Sequence, residues 1–488
     1  MTTARRRLVP PLGGPWFVAF VCLVAAVVCS VCYETGWIPG IGWNDAILAA
    51  AVLVGMAMIQ GSRFSLLCRF ILLLYALPFV ECTTYLFHDA DYFRQQPALW
   101  GLTANPYNQD LATIERLTLI GAIGVLALVA GMLVGTAVGR RQPARMESGK
   151  RLHVASAAVL AGLALVFTWV SAPRFTIFTM RYTESPTFGG SLSLNTAYLL
   201  SYVFAVAVVV DALAEKPRRE RTIKFILAGI MLGVIVIWFQ FLRGDRESVA
   251  LLAAVGALFV IEGQFNEPPA RAKKRLGVML AVGIVVYLTA QVVGVMRSEA
   301  VGRGLETTFS AVRPSVTLVH GTWSAVLLSP LSVVGDFERG LMRPAWGQTY
   351  VDYVLSLPPG IVAQALGYTR PIDGTRGPAW QMRYGIGGTH LLVVPFMNFR
   401  SPGVIIILFL CGILVGVVDV HAGRGRVRDL LLYGAFFVLG PFWVWYGDLS
   451  LVRGIMSFMI VWPIYRLLPK QGVAQHSWRP SFQFVPGR

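Results

Sequence analysis

Apolar stretches of about 20 residues recur along almost the whole chain, and short polar segments separate them. A helix of that length crosses the hydrocarbon core of a bilayer. The pattern therefore predicts an all-α polytopic membrane protein with about 12 transmembrane helices. The predicted helices lie near residues 15–33, 46–61, 70–86, 117–138, 153–171, 192–213, 223–242, 247–263, 276–296, 403–420, 429–447 and 452–468.

The amino-acid composition agrees with a membrane protein. Hydrophobic residues make up 56% of the 488 residues and charged residues only 14%, whereas a soluble domain carries about 25% charged residues. The net charge of +17 comes largely from basic residues in short loops between apolar stretches. That distribution is typical of topology signals and argues against binding of nucleic acid.

The basic loops all fall on one side of the membrane when 12 spans are counted. By the positive-inside rule this side is the cytoplasm, so we predict a cell inner membrane protein with both termini cytoplasmic. A cleaved signal peptide is the competing interpretation, but no small-residue cleavage site follows the first apolar stretch. The basic residues are Arg5, Arg6, Arg7, Arg140, Arg141, Arg145, Lys150, Arg151, Lys216, Arg218, Arg219, Arg221, Lys224, Arg271, Lys273, Lys274, Arg275, Arg424, Arg426 and Arg428.

Three regions follow from the predicted topology. Residues 1–296 hold transmembrane helices 1 to 9, residues 297–402 form a major periplasmic loop, and residues 403–488 hold helices 10 to 12 and a cytoplasmic tail. Within the loop, residues 305–340 have helix-like amphipathic patterning. Residues 390–399 are apolar but too short to span, which predicts a re-entrant or interfacial segment.

The outer loops carry many arginines and no lysine, whereas all six lysines lie in inner loops or the C-terminal tail. Only arginine offers a rigid fork that binds phosphate or carboxylate at two points, so this asymmetry indicates an anionic substrate at the outer face. We predict no metal site and no cofactor. The only cysteines with CxxC spacing, Cys29 and Cys32, lie within the first predicted span, and Glu34 and Asp45 of the first outer loop are eleven residues apart.

A first group of candidate residues lies in the short outer turn between two predicted spans. Asp245 and Glu247 stand at the N-terminus of the following helix, where carboxylates are stabilised. Arg243 and Arg246 lie beside them at the outer interface, where they could bind the phosphate of a lipid. The alternative is an ordinary charged turn that caps two helices.

A second group lies in residues 174–190. Arg174 and Arg181 are seven residues apart and Glu184 follows three residues later, so a helix would place them on one face. The alternative is a solvated amphipathic helix at the membrane surface.

A third group, Arg370, Arg376 and Arg383, lies in the glycine-rich part of the major loop. There the backbone N–H groups of the glycines could approach an anion closely, and the arginines could bind it from the side. A structured loop whose glycines only make turns is the alternative. His390 follows, either as a general base near neutral pH or as a structural histidine. Arg297 closes a predicted span and either extends to the interface or reaches a lipid phosphate.

Three segments carry a resemblance to a known family. They are Gly244-Asp245-Arg246, then Gly347-Gln348-Thr349-Tyr350 with Leu357-Pro358-Pro359, then Gly387-Gly388 with Asn398-Phe399 and Pro402-Gly403. In their order and in the late, long outer loop, the chain resembles the oligosaccharide repeat-unit polymerases of the Wzy type over residues 244–403. Family members often carry an acidic residue between the glycine pair and Asn-Phe, and here residues 390–397 contain none.

The resemblance implies a membrane glycosyltransferase that joins undecaprenyl-diphosphate-linked repeat units into O-antigen or exopolysaccharide at the periplasmic face. A flippase and a chain-length regulator are the implied protein partners. Arginines would stabilise the leaving diphosphate, and a base would take the proton of the acceptor hydroxyl. The substrate-binding candidates are Arg181, Arg243, Arg246, Arg297, Tyr350, Arg370, Arg376 and Arg383, and the candidate bases are Glu184, Asp245, Glu247 and His390.

Two other functions stay open. An O-antigen ligase also uses a lipid-diphosphate donor, outer-loop arginines and a histidine in its large outer loop, a position that His390 fits. A polysaccharide transporter or flippase is compatible with 12 helices, although we see no internal repeat and almost no charge within the spans.

Overall fold

The computed structural model describes residues 13–59, 65–83, 110–141, 151–171, 192–215, 218–242, 248–266, parts of 270–289, 317–356, 358, 360–369, 371 and 389–471. The helices are α1 (Gly13–Thr35), α2 (Ile41–Met58), α3 (Leu66–Ala76), α4 (Val80–Thr83), α5 (Leu111–Arg141), α6 (Val154–Ser171), α7 (Leu192–Ala214), α8 (Arg218–Val236), α9 (Ser248–Asn266), α10 (Thr317–Glu338), α11 (Gln348–Ser356), α12 (Gly360–Ala365), α13 (Val393–Ala422), α14 (Val427–Tyr446) and α15 (Asp448–Leu467). A 3₁₀ turn (Leu77–Phe79) joins α3 to α4, and a π-helical segment (Ile237–Leu242) continues α8. Two short strands, β1 (Arg151–Leu152) and β2 (Lys470–Gln471), pair antiparallel.

Eight helices of the described part are long and apolar enough to cross a membrane, namely α1, α2, α5, α6, α7, α8, α13 and α14. This finding confirms the coarse prediction of an all-α membrane protein. The apolar parts of α3 and α9 are shorter, and residues 276–296 are described only in part. The count of 12 spans therefore stays a prediction.

Side-chain and backbone contacts gather the helix ends into two groups. At the first, which we call the basic end (residues 139–141, 151–152, 211–215, 218–224, 262–266, 270–271, 273–275, 419–429 and 465–471), Arg151 pairs with Gln471 between the strands and Arg424 donates a hydrogen bond to the Gly139 carbonyl. We call the other the opposite end (residues 33–44, 74–83, 110–118, 338–350, 389–401 and 444–450). The positive-inside rule predicts that the basic end faces the cytoplasm.

Glycines allow α5 and α13 to touch along their backbones. A Cβ atom at Gly131 would lie 2.1 Å from the Phe409 carbonyl oxygen, and one at Gly412 would lie 2.3 Å from the Leu128 carbonyl oxygen. Gly135 and Gly416 repeat this relationship one turn further along. Small residues spaced four apart commonly allow membrane helices to approach closely. Van der Waals packing, and not the hydrophobic effect, drives the association of helices within a membrane.

A buried ionic cluster ties four elements together at the basic end. The Lys224 ammonium group lies 2.6 Å from both Asp211 and Glu215 and 2.7 Å from the Leu152 carbonyl oxygen. Tyr465 donates a hydrogen bond of 2.8 Å to the same aspartate. Because a buried charge without partners is costly, this cluster fixes how α7, α8, α15 and β1 meet.

Residues 297–402, predicted as a periplasmic loop, are in their described parts more closely integrated with the bundle than their polar sequence suggests. The helix-like patterning at 305–340 corresponds to α10, which packs against α5, α13 and the 3₁₀ turn. Its residues Leu327 and Val333 are fully buried. Residues 393–399 form the first turns of α13, and a kink at Arg400 separates them from the rest of that helix.

Candidate functional site

Pro402 explains the kink in α13 and the contacts beside it. Proline has no N–H group, so the Asn398 carbonyl lacks its helical donor, and the ring collides with that carbonyl in a regular helix. The freed Asn398 carbonyl accepts a hydrogen bond of 3.1 Å from the Trp346 N–H group. The chain bends at Arg400, whose φ of 56° and ψ of −148° lie in a region that is otherwise almost exclusive to glycine.

Asn398 also joins two segments of residues 297–402, the predicted periplasmic loop. The Asn398 side chain accepts a hydrogen bond of 2.8 Å from the Gly347 N–H group and donates one of 2.8 Å to the Val394 carbonyl. Trp346 has a φ of 48° and Gly347 a φ of 89°, so two consecutive residues adopt left-handed backbone. The Gly-Gln-Thr-Tyr segment and the Asn-Phe segment are thus in direct contact, which sequence order alone does not require.

Arg400 lies between this joint and the end of α1. Its guanidinium group is 3.3 Å from the Glu34 carboxylate and lies over the ring of Tyr33, 6.0 Å from the centroid. Ser401 donates a hydrogen bond of 2.7 Å to the other Glu34 oxygen. The Arg400 Nε atom is buried and has no hydrogen-bond partner within the described part of the chain. Arg400 therefore has one buried donor that the described residues leave unsatisfied.

Tyr33 links this arginine to further ion pairs. Tyr33 donates a hydrogen bond of 2.7 Å to Glu338 at the end of α10, and Arg116 of α5 forms an ion pair with the same carboxylate. Arg339 pairs with Asp110 at 3.7 Å. We call the group formed by Glu34, Arg116, Glu338, Arg339 and Arg400 the Arg400 cluster.

The Arg400 cluster is accessible to a ligand. The side chains of Arg339 and Arg400 are 54% and 41% exposed, and those of Arg116 and Glu338 are 28% and 20% exposed. Partly exposed ion pairs contribute little net stability, so an incoming anion can replace a carboxylate at small cost. Strained backbone held by its surroundings is a frequent feature of ligand-binding sites. The geometry is suited to binding an anion with several oxygen atoms, such as a phosphate.

Most of the site residues predicted from the sequence lie outside the described part of the chain. These are Arg181, Glu184, Arg243, Asp245, Arg246, Glu247, Arg297, Arg370, Arg376 and Arg383. Their roles stay predictions. The two described candidates are Tyr350 and His390.

Tyr350 lies on α11, within the opposite end. Its ring contacts that of Tyr353 edge to face, with 6.1 Å between the centroids, and packs against the small apolar cluster of Tyr353, Val394 and Leu449. It is half-buried and follows Gly347 by one helical turn. A role in holding sugar or phosphate stays a prediction.

His390 is fully buried beneath the opposite end. Its Nδ1 atom accepts a hydrogen bond of 3.3 Å from the Leu392 N–H group, so the neutral ring donates from Nε2 to the Tyr75 carbonyl at 3.1 Å. Tyr75 and Phe79 pack on the ring with centroid distances of 4.8 and 5.4 Å. Burial lowers the pKa of His390 to about 4. Both ring nitrogens are occupied, which favours the structural alternative for this residue over a general base.

The central residues of the Arg400 cluster were not among the sequence candidates. Arg400 is an outer-segment arginine beside Ser401-Pro402-Gly403, and this kink-forming context could have drawn attention to it. Glu34 entered the sequence argument only as a possible metal ligand. Within the described residues, no group of three or more His, Cys, Asp or Glu side chains is placed to hold a metal ion.

Comparison with known proteins gives no assignment. No protein-family model, no curated protein and no solved structure matches the chain. Functional argument therefore depends on the site itself.

Proposed function

We propose that this protein is a membrane glycosyltransferase that polymerises oligosaccharide repeat units carried on undecaprenyl diphosphate. The observation that carries the proposal is the Gly347–Asn398 contact beside Arg400. It brings together two of the segments on which the family resemblance depends, at the end of the bundle away from the basic loops. On this proposal the Arg400 cluster faces the periplasm, in the inner membrane.

The reaction breaks the bond between the anomeric carbon of the growing chain and its diphosphate oxygen. A new bond forms from that carbon to a hydroxyl of the next lipid-linked unit, and undecaprenyl diphosphate leaves with the electron pair. The hydroxyl proton passes to a base. No nucleotide sugar is required, because the lipid diphosphate is itself the activated leaving group.

The described side chains have the chemistry that this step needs. The Arg400 guanidinium group binds the diphosphate oxygens and stabilises the negative charge that develops on them. Glu34 is the carboxylate nearest to Arg400, and it takes the proton of the acceptor once the diphosphate has replaced it on the guanidinium group. Glu184, Asp245 and Glu247, which the structure does not describe, stay candidates for the same role.

The alternative functions receive less support from the described residues. The ligase alternative depended on His390 as an outer-loop base, and this histidine is buried with both ring nitrogens hydrogen-bonded. A transporter commonly places polar residues near the bilayer midplane. The buried ionic cluster around Lys224 instead lies at the basic end, where the ammonium group is held by Asp211 and Glu215.

The proposal is tested by complementing a deletion strain with single variants and measuring surface polysaccharide chain length together with protein level. Arg400→Ala, Arg246→Ala and Arg376→Ala are each expected to abolish long chains while the protein level persists. Arg466→Ala, which removes an exposed arginine in the last turn of α15 at the basic end, is the matched control and should give normal chains. Normal long chains in Arg400→Ala would remove the proposed site.

Single repeat units capped onto lipid A in the deletion strain would indicate loss of a polymerase. Complete loss of capping in the same strain would indicate a ligase instead.

A further inference from the structure

Helix α11 has three distinct faces. Thr349, Tyr353 and Ser356 are buried against the protein. On a second face Gln348 donates a hydrogen bond of 2.8 Å to Asp352, and both side chains are polar. The third face is apolar and exposed. With 3.6 residues per turn, Val351 and Val354 lie opposite the buried face, Gln348 and Asp352 lie between the two, and Leu355 lies beside Gln348 at the edge of the apolar face.

The uncovered face consists of Val351, Val354 and Leu355, which are 51%, 62% and 40% exposed. Trp346 just before the helix is 77% exposed, and Leu366 just after α12 is 68% exposed. A contiguous apolar surface of this kind on a short helix marks contact with a partner or with lipid.

The position of α11 favours lipid. Tyr353 packs against Val394 at the start of α13 and Leu449 at the start of α15, so the helix lies across the ends of two bundle helices. With nine residues it is roughly 13 Å long, too short to cross a bilayer. A short helix with one apolar and one polar stripe at the end of a membrane bundle is suited to lie in the interface plane.

Exposed tryptophans mark the membrane surface at the same end. Besides Trp346, the exposed tryptophans of the described residues are Trp37, Trp43 and Trp169, which are 72%, 73% and 71% exposed. Trp37 and Trp43 lie at the turn from α1 to α2, and Trp169 lies in the last turn of α6. Tryptophan is enriched where the headgroups meet the hydrocarbon core, so these residues form an interfacial belt that includes the residue preceding α11.

We propose that α11 is an interfacial helix that embeds Val351, Val354 and Leu355 in the outer boundary of the acyl chains, with Gln348 and Asp352 turned to water. Its N-terminus is held by the Gly347–Asn398 hydrogen bond. The lipid surface therefore sets the height of that joint, and of Arg400 beside it, at the level of the headgroups. The placement of the helix does not depend on the reaction that the protein performs.

The test uses the full-length protein in vesicles of phosphatidylethanolamine and phosphatidylglycerol. A nitroxide label is attached to one introduced cysteine at a time, at positions 348, 351, 352, 354 and 355, and its collisions with oxygen and with a water-soluble nickel chelate are measured. The wild-type chain, whose six cysteines are buried or half-buried, gives the background labelling.

Labels at 351 and 354 should collide preferentially with oxygen, and labels at 348 and 352 with the nickel chelate, while a label at 355, at the edge of the apolar face, should show intermediate access. Equal access of the chelate to all five positions would overturn the proposal, because the helix would then lie in water. Protection of 351, 354 and 355 from both reagents would also overturn it, because protein would then cover this face. Neither measurement depends on catalysis, so the position of α11 can be established even if the proposed enzymatic activity is not found.

Discussion

The guanidinium group of Arg400 lies 3.3 Å from the carboxylate of Glu34, which joins the kink of α13 to the end of α1. The two side chains are 41% and 33% exposed, so water screens their attraction. A pair of this kind contributes only about 0–1 kcal/mol of stability. A diphosphate that offers two oxygens to the planar guanidinium fork can therefore displace Glu34, and the displaced carboxylate becomes free to accept a proton.

Replacing Arg400 by lysine keeps the positive charge but removes the planar fork. Loss of one preorganised electrostatic donor lowers turnover by roughly 100- to 1,000-fold in other enzymes, so Arg400→Ala should fall in that range. Arg400→Lys should fall between Arg400→Ala and the wild type, because a lysine binds phosphate as a point charge. The rate of polymer formation in membranes measures both. Equal rates for Arg400→Lys and Arg400→Ala would show that charge at this position is not what matters.

The close glycine contacts between α5 and α13 predict that an added methyl group destabilises the protein there but not at an open glycine. Gly412→Ala places a Cβ atom 2.3 Å from a carbonyl oxygen of α5, and separating the helices should cost about 1–3 kcal/mol. Gly229→Ala is the control, because nothing lies within 4 Å of a Cβ atom there. Thermal unfolding in detergent should show a lower Tm for Gly412→Ala alone. Equal Tm values would contradict the close packing of the two helices.

The ionic cluster at the basic end predicts that replacing Lys224 strongly lowers the stability of the protein. Lys224→Met leaves Asp211 and Glu215 buried without their shared cation, which should destabilise the protein by about 3–5 kcal/mol. Arg221→Met on the same helix breaks a partly exposed pair with Glu262 and should cost less than about 1 kcal/mol. Denaturant unfolding compares the two variants. Similar losses would show that Lys224 is not buried as described.

His390 predicts a specific dependence of stability on pH. Burial lowers its pKa from 6.5 to about 4, so between these values the unfolded chain binds a proton that the folded chain does not. This contribution is therefore complete above about pH 6.5 and is lost as the pH falls towards 4, on the order of 3 kcal/mol in all. His390→Gln should unfold with a shallower pH dependence over that window than the wild type. Identical slopes would place a solvated, readily protonated histidine there and restore its candidacy as a base.

The sequence predicted the helices far better than the site. Apolar stretches located α6 and α7 to within one residue at each end, because a membrane span requires only a continuous apolar stretch of sufficient length. The helix-like patterning at 305–340 predicted a helix there, but its packing onto the bundle was not predicted, because those residues were assigned to a periplasmic loop. The glycine pairs at 131/135 and 412/416 were readable in the sequence as a close-packing signal but were not used.

The Arg400 cluster was beyond sequence reasoning for a physical reason. Its pairs join α1, α5, α10 and α13, and such contacts depend on how helices distant in the chain are arranged. Hydropathy reports depth in the membrane but not neighbours. The kink is the part of the site that the sequence indicates best, because Pro402 removes a helical donor. At the neighbouring Gly403, a Cβ atom would lie 2.5 Å from the Pro395 carbonyl oxygen.

The central claim is that the Arg400 cluster supports transfer of an oligosaccharide from one lipid diphosphate to another. The most direct measurement incubates the purified protein in vesicles with undecaprenyl-diphosphate-linked repeat units from the same organism and follows both polymer and free lipid diphosphate. The account predicts one released undecaprenyl diphosphate for each new glycosidic bond, and almost none with Arg400→Ala. Movement of the lipid-linked units across the bilayer without any new glycosidic bond would contradict it.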